Sequence, residues 1–185
     1  YEDVNGDGIL VPSELRYGDY QFIGPTLPQR ELSFSPAVDL FGRRLRVLAQ
    51  FDHRGDVRKF NNTERGRCQA RANCRALNDP TTPLQEQAGA LATVIDNVFT
   101  GYFEDGTFTR WRELSLAYDV PRAVLRTGRV SRATLVLTGR NLAVWTRYTG
   151  LDPEASTAVS DERGGEDFQT QPPFRTWTVR LNLGF

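Results

Sequence analysis

The chain has 185 residues, 25% of them charged and 39% apolar, a balance that suits a folded protein of one domain or one and a half and excludes disorder. Its 23 basic residues cancel its 23 acidic ones, so no basic field exists to attract nucleic acid. No stretch approaches about eighteen apolar residues, which excludes a membrane-spanning helix but not a span built from alternating strands. Lys59 is the only lysine, a bias of composition rather than of mechanism.

The N-terminus, YEDVNGDG, carries no signal-peptide pattern, so the start is expected to be processed, cut, or internal to a longer chain. Residues 3–14 match a twelve-residue calcium loop position by position. Asp3, Asn5, Asp7 and Glu14 supply oxygens at positions 1, 3, 5 and 12, Gly8 takes the turn position, and Ile9 offers its carbonyl at position 7. Hard cations need several oxygens, and this spacing lets one short loop wrap a Ca2+ ion. Pro12, Gly18 and the absence of a second copy speak against a paired EF-hand. An Asx- and Gly-rich turn without metal also fits these residues.

Strict alternation begins at Glu31. Leu32, Phe34, Pro36, Val38 and Leu40 share one face as far as residue 40, and a tight Gly42-Arg43-Arg44 turn follows. From Leu45 to His53 the apolar set is Leu45, Val47, Ala49 and Phe51. The long 54–112 interval holds Cys68 and Cys74 in a polar stretch. With one histidine, His53, and no second cysteine pair, a zinc site is not expected. A small-loop disulfide is preferred over two free thiols and would contribute roughly 2–2.5 kcal/mol. Pro83 to Val98 predicts one short helix, with Leu84, Ala88, Leu91, Ile95 and Val98 near helical spacing.

Alternation resumes with Leu114, Leu116, Tyr118 and Val120, then with Ala133, Leu135, Leu137 and Gly139. It closes the chain with Trp177, Val179, Leu181, Leu183 and Phe185. The opposite faces carry hydroxyl and charged residues, among them Arg46, Glu113, Asp119, Arg140 and Arg180. Trp111, Trp145, Tyr148, Trp177 and Phe185 stand near strand ends, as interfacial aromatics do. Short and long connections alternate, the asymmetry of an up-and-down barrel with long outer loops. Five strands cannot close such a barrel, so the chain is expected to be the C-terminal part of a larger one. Residues 1–28 then form an extracellular loop, and 29–185 form about five strands with their loops.

Five landmarks in order carry a family resemblance. They are DVNGDG at 3–8, FIGPTLPQRELSFSPAVDLFGRRLRVLAQF at 22–51, TRWRELSLAYDVP at 109–121, LVLTGRNLAVWTRYTGLDPE at 135–154 and PPFRTWTVRLNLGF at 172–185. In these the chain resembles the C-terminal part of a SusC/RagA-type TonB-dependent outer-membrane transporter. The resemblance implies an all-β, antiparallel transmembrane barrel in the bacterial outer membrane, in contact with its lipid. It also implies a plug, energisation by TonB through an N-terminal part not in these residues, and a SusD-like lipoprotein partner. Import of oligosaccharides or peptides would follow. The terminal Leu181, Leu183 and Phe185 resemble a barrel-assembly signal. No Ser–His–carboxylate or Cys–His set is present, so no enzyme is expected. Two other readings fit the strands: a secreted calcium-binding β-domain whose apolar rows pack on each other, and a structural or adhesive surface protein whose sheets assemble between chains.

Overall fold

A computed structural model describes residues 1–125, 129–160 and 164–185, and the chain divides into two units. The first comprises Tyr1–Gln29, Asp56–Thr107 and Arg147–Pro172; the second comprises Arg30–Gly55, Phe108–Thr146 and Pro173–Phe185.

The second unit is one antiparallel sheet made from β1 (Arg30–Phe34), β2 (Ala37–Leu40), β3 (Leu45–Gly55), β6 (Phe108–Asp119), β7 (Arg132–Thr146) and β10 (Thr176–Gly184). Its strand order is β1-β3-β6-β7-β10, with β2 also on β3. The alternation at 31–40 breaks at Ser35-Pro36 into two short strands, because proline has no amide to donate. Register aligns the apolar rows across the sheet. Val179 faces Leu137, Leu137 faces Leu116, Leu116 faces Val47, and Val47 faces Val38. Trp177 pairs with Gly139, where a Cβ would sit 2.6 Å from the indole, so the ring lies on a position that must stay bare. A bulge between Trp111 and Glu113 admits Arg112, which bonds Asp52 at 2.6 Å, while Trp111 stacks on Phe51 at 5.5 Å. The polar rows pair in turn: Arg140 bonds Glu113 at 2.9 Å, and Thr134 donates to Asp119.

This sheet corrects the barrel expectation. Its end strands β1 and β10 do not pair with each other among the described residues, so the sheet is open. No sheet of the described residues closes into a barrel, which overturns the expected barrel fold for them. The expected outer-membrane location, which rested on a closed barrel, is corrected with it. No helix among the described residues is long and apolar enough to cross a membrane. The apolar row is nonetheless uncovered by this chain, with Val179 69% and Leu181 58% exposed.

The first unit corrects the all-β expectation and the long loop at 54–112. It holds a four-stranded sheet, β5-β4-β9-β8, from β4 (Arg58–Asn61), β5 (Phe103–Asp105), β8 (Ala158–Ser160) and β9 (Gly164–Asp167), in which β4 and β9 run parallel. Three helices accompany it: α1 (Asn62–Arg71), α2 (Arg75–Asn78) and α3 (Leu84–Asp96). The Asn61 side chain accepts the Glu64 amide at 3.0 Å and so starts α1, and α1 stops at Ala72 in the left-handed region. Asn97 ends α3 the same way, at φ 55°. Phe60, Cys68, Cys74, Ala90 and Tyr102 form the core, and Phe60 stacks on Phe103 at 4.8 Å. Cys68 and Cys74 are bonded, S–S 2.05 Å, and both are buried, so they belong to a core and not to a polar loop.

Polar groups are buried here as well. Asp167, fully buried, accepts the Tyr148 hydroxyl at 3.0 Å and the Thr170 hydroxyl at 2.9 Å. Lys59 donates to the Ala155 carbonyl at 2.6 Å, and burial lowers its ammonium below the usual lysine value despite the Asp167, Asp152 and Glu154 carboxylates around it. Burial first, then Asp167, pushes the Tyr148 phenol well up.

Candidate functional site

Helix α3 organises the first unit's functional features, with the acidic loop against one flank and a cleft along the other. In the loop, Gly6 and Gly8 take φ of 70° and 78°, conformations that favour glycine. These turns aim backbone amides at the carboxylates. Asp3 accepts Gly6 N–H at 2.8 Å and Gly8 N–H at 3.0 Å. The Asn5 carbonyl accepts Asp7 N–H at 3.1 Å, and Asp7 accepts both the Asn5 side-chain amide and Ile9 N–H at 2.8 Å. Glu14, at the start of whose carboxylate's reach lies a 3₁₀ turn (Pro12–Glu14), is buried and accepts Val4 N–H at 2.9 Å and Val11 N–H at 3.0 Å.

Among the described residues, no group of three or more His, Cys, Asp or Glu is arranged to hold a metal ion. The loop's carboxylates are turned onto its own amides.

The loop is tied to α3 by a residue that sequence reading passed over. Gln87 is buried, accepts Leu10 N–H at 2.9 Å, and donates to the Gly8 carbonyl at 3.0 Å and the Thr82 carbonyl at 2.8 Å. Nothing in the local pattern marks it, because its partners lie 5, 77 and 79 residues away or close by in a turn. A second tie is the Tyr17 hydroxyl on Asp96; that hydrogen bond, aided by partial desolvation, pushes the phenol up to about 12. The buried side of α3 is Gln87, Ala90, Ala92 and Thr93, and Ile95 of the expected apolar stripe is exposed.

The cleft beside α3 has a volume of about 650 Å³. Its lining includes the small residues Ala76, Gly89, Ala90 and Gly101. A Cβ on Gly101 would come within 2.9 Å of the Gly89 Cα, so α3 and the turn before β5 meet backbone to backbone. Glu64 and Glu86 line it from the helices, and Glu104 and Asp105 from β5; Arg75 and Arg147 are its cations. Glu104 fixes the far wall by accepting the Thr149 amide and hydroxyl, both at 2.8 Å, and the Asn61 side-chain amide at 2.9 Å. Tyr102 also lines the cleft, and burial and then the Glu64 charge raise its phenol to about 12. The Thr107 hydroxyl and amide, with Arg58 and Arg147 beyond them, hold Asp105 below the usual carboxylate range.

The sequence-predicted residues thus fall apart in space. Asp3, Asn5, Asp7, Ile9 and Glu14 share one loop, and Cys68 and Cys74 sit in the first unit's core. Leu181 and Leu183 lie on exposed β10, with Phe185 just past its end and 86% exposed. His53 contacts Thr109 at 3.0 Å within the sheet, and Glu113 and Asp119 pair with neighbouring strands.

No family model matches the chain. Two curated relatives from Formosa agariphila align with all of it: TonB-dependent receptor P3, 25% identical over 192 residues, and TonB-dependent receptor P26, 26% identical over 204 residues. The chain spans 19% of the length of each. Among solved structures it is similar to the RagAB peptide importer. The match to the open-open state has a TM-score of 0.62 and 18% identity over 96% of this chain and 20% of that one. The match to the closed-closed state has a TM-score of 0.58 and 22% identity over 76% of this chain and 16% of that one.

The likeness is to transport proteins and not to enzymes.

It is a distant likeness, and it corrects the resemblance drawn from sequence. Identities of 18–26% leave the chain similar to these proteins without placing it in the SusC/RagA family, and the open sheet overturns its reading as the C-terminal barrel portion of such a transporter.

Proposed function

We propose that the chain serves TonB-dependent uptake of oligosaccharides or peptides together with a SusD-like lipoprotein. The observation that carries this reading is alignment over the whole chain with two TonB-dependent receptors, P3 and P26. The geometry agrees in kind. A cleft of about 650 Å³ falls in the size range of small-molecule sites, and its lining includes charged side chains, of which Glu104 is held by hydrogen bonds from Thr149. In this role the chain contributes binding surface and leaves covalent chemistry to other proteins. Two assays test it: co-purification of a co-encoded SusD-like lipoprotein with the tagged full chain, and uptake of fluorescent peptides and oligosaccharides by cells with and without the gene. Loss of uptake of one class, with the lipoprotein recovered, is expected. Unchanged uptake of both classes with no lipoprotein recovered contradicts the proposal.

Ca2+ in the 3–14 loop belongs to the same proposal. Asp3, Asn5, Asp7 and Glu14 supply side-chain oxygens and Ile9 its carbonyl, and the ion would stiffen a loop already tied to α3 through Gln87. Chelation is expected to lower the melting temperature of the full chain and restored Ca2+ to raise it; an unchanged melting temperature contradicts the ion's role.

A further inference from the structure

We propose that Asn5 is a self-modifying site: its side-chain amide is lost through a cyclic imide closed by the Gly6 nitrogen, and the loop's own hydrogen bonds gate the loss. Asn5 is the only asparagine in the chain that is followed by glycine. Glycine has no Cβ to crowd its amide nitrogen, so that nitrogen reaches the preceding side-chain carbonyl after rotation about the asparagine's own bonds. Asn5, Gly6 and Asp7 are all exposed, so water has access to the reacting atoms. In the closed loop, however, each group that must react is engaged elsewhere. The Gly6 N–H donates to Asp3 at 2.8 Å, the Asn5 side-chain carbonyl accepts Asp7 N–H at 3.1 Å, and the Asn5 side-chain amide donates to Asp7 at 2.8 Å. Gln87 holds the same loop from α3 through the Gly8 carbonyl and the Leu10 N–H. Ring closure breaks the first set of bonds and is eased by loss of the second, so the reaction runs from an opened loop.

The chemistry needs water and no oxidant or reductant. The Gly6 nitrogen bonds to Asn5 Cγ, the Cγ–Nδ2 bond breaks, and Nδ2 leaves as ammonia with the proton that Gly6 gives up. Water then adds across one of the two ring C–N bonds. Opening at Cγ leaves an aspartate; opening at the main-chain carbonyl leaves an isoaspartyl link, with one more carbon in the backbone. Either product places a carboxylate where an amide had donated to the Asp7 carboxylate. Two anions then face each other and repel, so the closed loop does not re-form and the change is one-way. The inference stands independently of the uptake reading and, with chelator present throughout its test, of Ca2+ in the loop.

Mass spectrometry of the full chain, incubated at neutral pH with chelator and then cut after arginine, follows the peptide that ends at Arg16. In urea that peptide is expected to exchange its amide for a carboxyl faster than any other asparagine-containing peptide, and Gly6→Ala in urea to suppress the exchange. The folded chain is expected to react at least about tenfold more slowly than the chain in urea, because only its opened fraction reacts. Asp3→Ala frees the Gly6 N–H and Gln87→Leu unties the loop; each is expected to speed the loss from the folded chain about three- to tenfold. Asn5→Asp stands for the product, and in it the Leu10 amide should exchange hydrogen faster than in the parent. Four results overturn the proposal: no loss at Asn5 in urea, equal rates in urea and in the folded chain, both loop variants reacting at the parent's rate, or unchanged Leu10 exchange in Asn5→Asp.

Discussion

At the scale of single residues, Gln87 carries the most structure for its size. Its amide satisfies two carbonyls and one N–H, and two of these three bonds, to Leu10 N–H and the Thr82 carbonyl, are buried. Gln87→Leu keeps the volume but strands all three, at an expected cost of about 2–3 kcal/mol, read by urea denaturation. The Leu10 amide should exchange faster in the same variant; unaltered exchange there would show that the loop is held by something else. Asp52 offers a pH test. Its partial burial opposes ionisation, but the Arg112 guanidinium and the Ser33 hydroxyl prevail and hold the carboxyl below the usual aspartate value. The stability from this pairing is therefore complete above about pH 4, the unfolded aspartate value, and is lost as pH falls through the lower folded value. In Asp52→Asn the acid limb of the stability–pH curve should flatten, and an unchanged limb would contradict the assignment.

Elements differ in how plainly the sequence announces them. Strands β3, β6, β7 and β10 were legible because each keeps a period of two, and α3 because its apolar residues recur near every fourth place. Helix α1 was not, since NTERGRCQAR has almost no apolar stripe; its start depends on the Asn61 side chain and its burial on Cys68. The strands β4, β5, β8 and β9 are three or four residues long, too short to show alternation. The cleft was invisible for a related reason, as its walls come from segments up to 85 residues apart in sequence, Glu64 to Thr149. Only the calcium-type spacing was local enough to read. The disulfide joins α1 to the start of α2 inside the core, so replacing Cys68 and Cys74 by alanine is expected to cost about 2–3 kcal/mol. Loss of less than about 0.5 kcal/mol, measured on the pair of variants, would mean that packing alone holds these helices. Between β7 and β10, Gly139→Val should force the Trp177 ring away and destabilise the sheet by about 1–3 kcal/mol.

For the whole molecule, the main revision concerns what lies between the strands. Alternation leads to a picture of barrel strands joined by long loops, whereas Asp56–Thr107 with Arg147–Pro172 and the N-terminal segment forms a unit with its own sheet, helices, disulfide and buried Asp167 network. Sequence pattern cannot reveal this, because an apolar row has the same spacing whether a sheet is open or closed, and a short helix capped by one asparagine has no row at all. The unit holds both the acidic loop and the cleft, so any part this chain plays in uptake depends on its being folded. Hydrogen exchange resolved to single amides on the full chain tests that most directly. Amides of β4, α1 and α3 are expected to be protected as one set that collapses when the Cys68–Cys74 bond is reduced. Exchange across 56–107 at the rate of an unstructured chain, with the bond intact, would contradict the account.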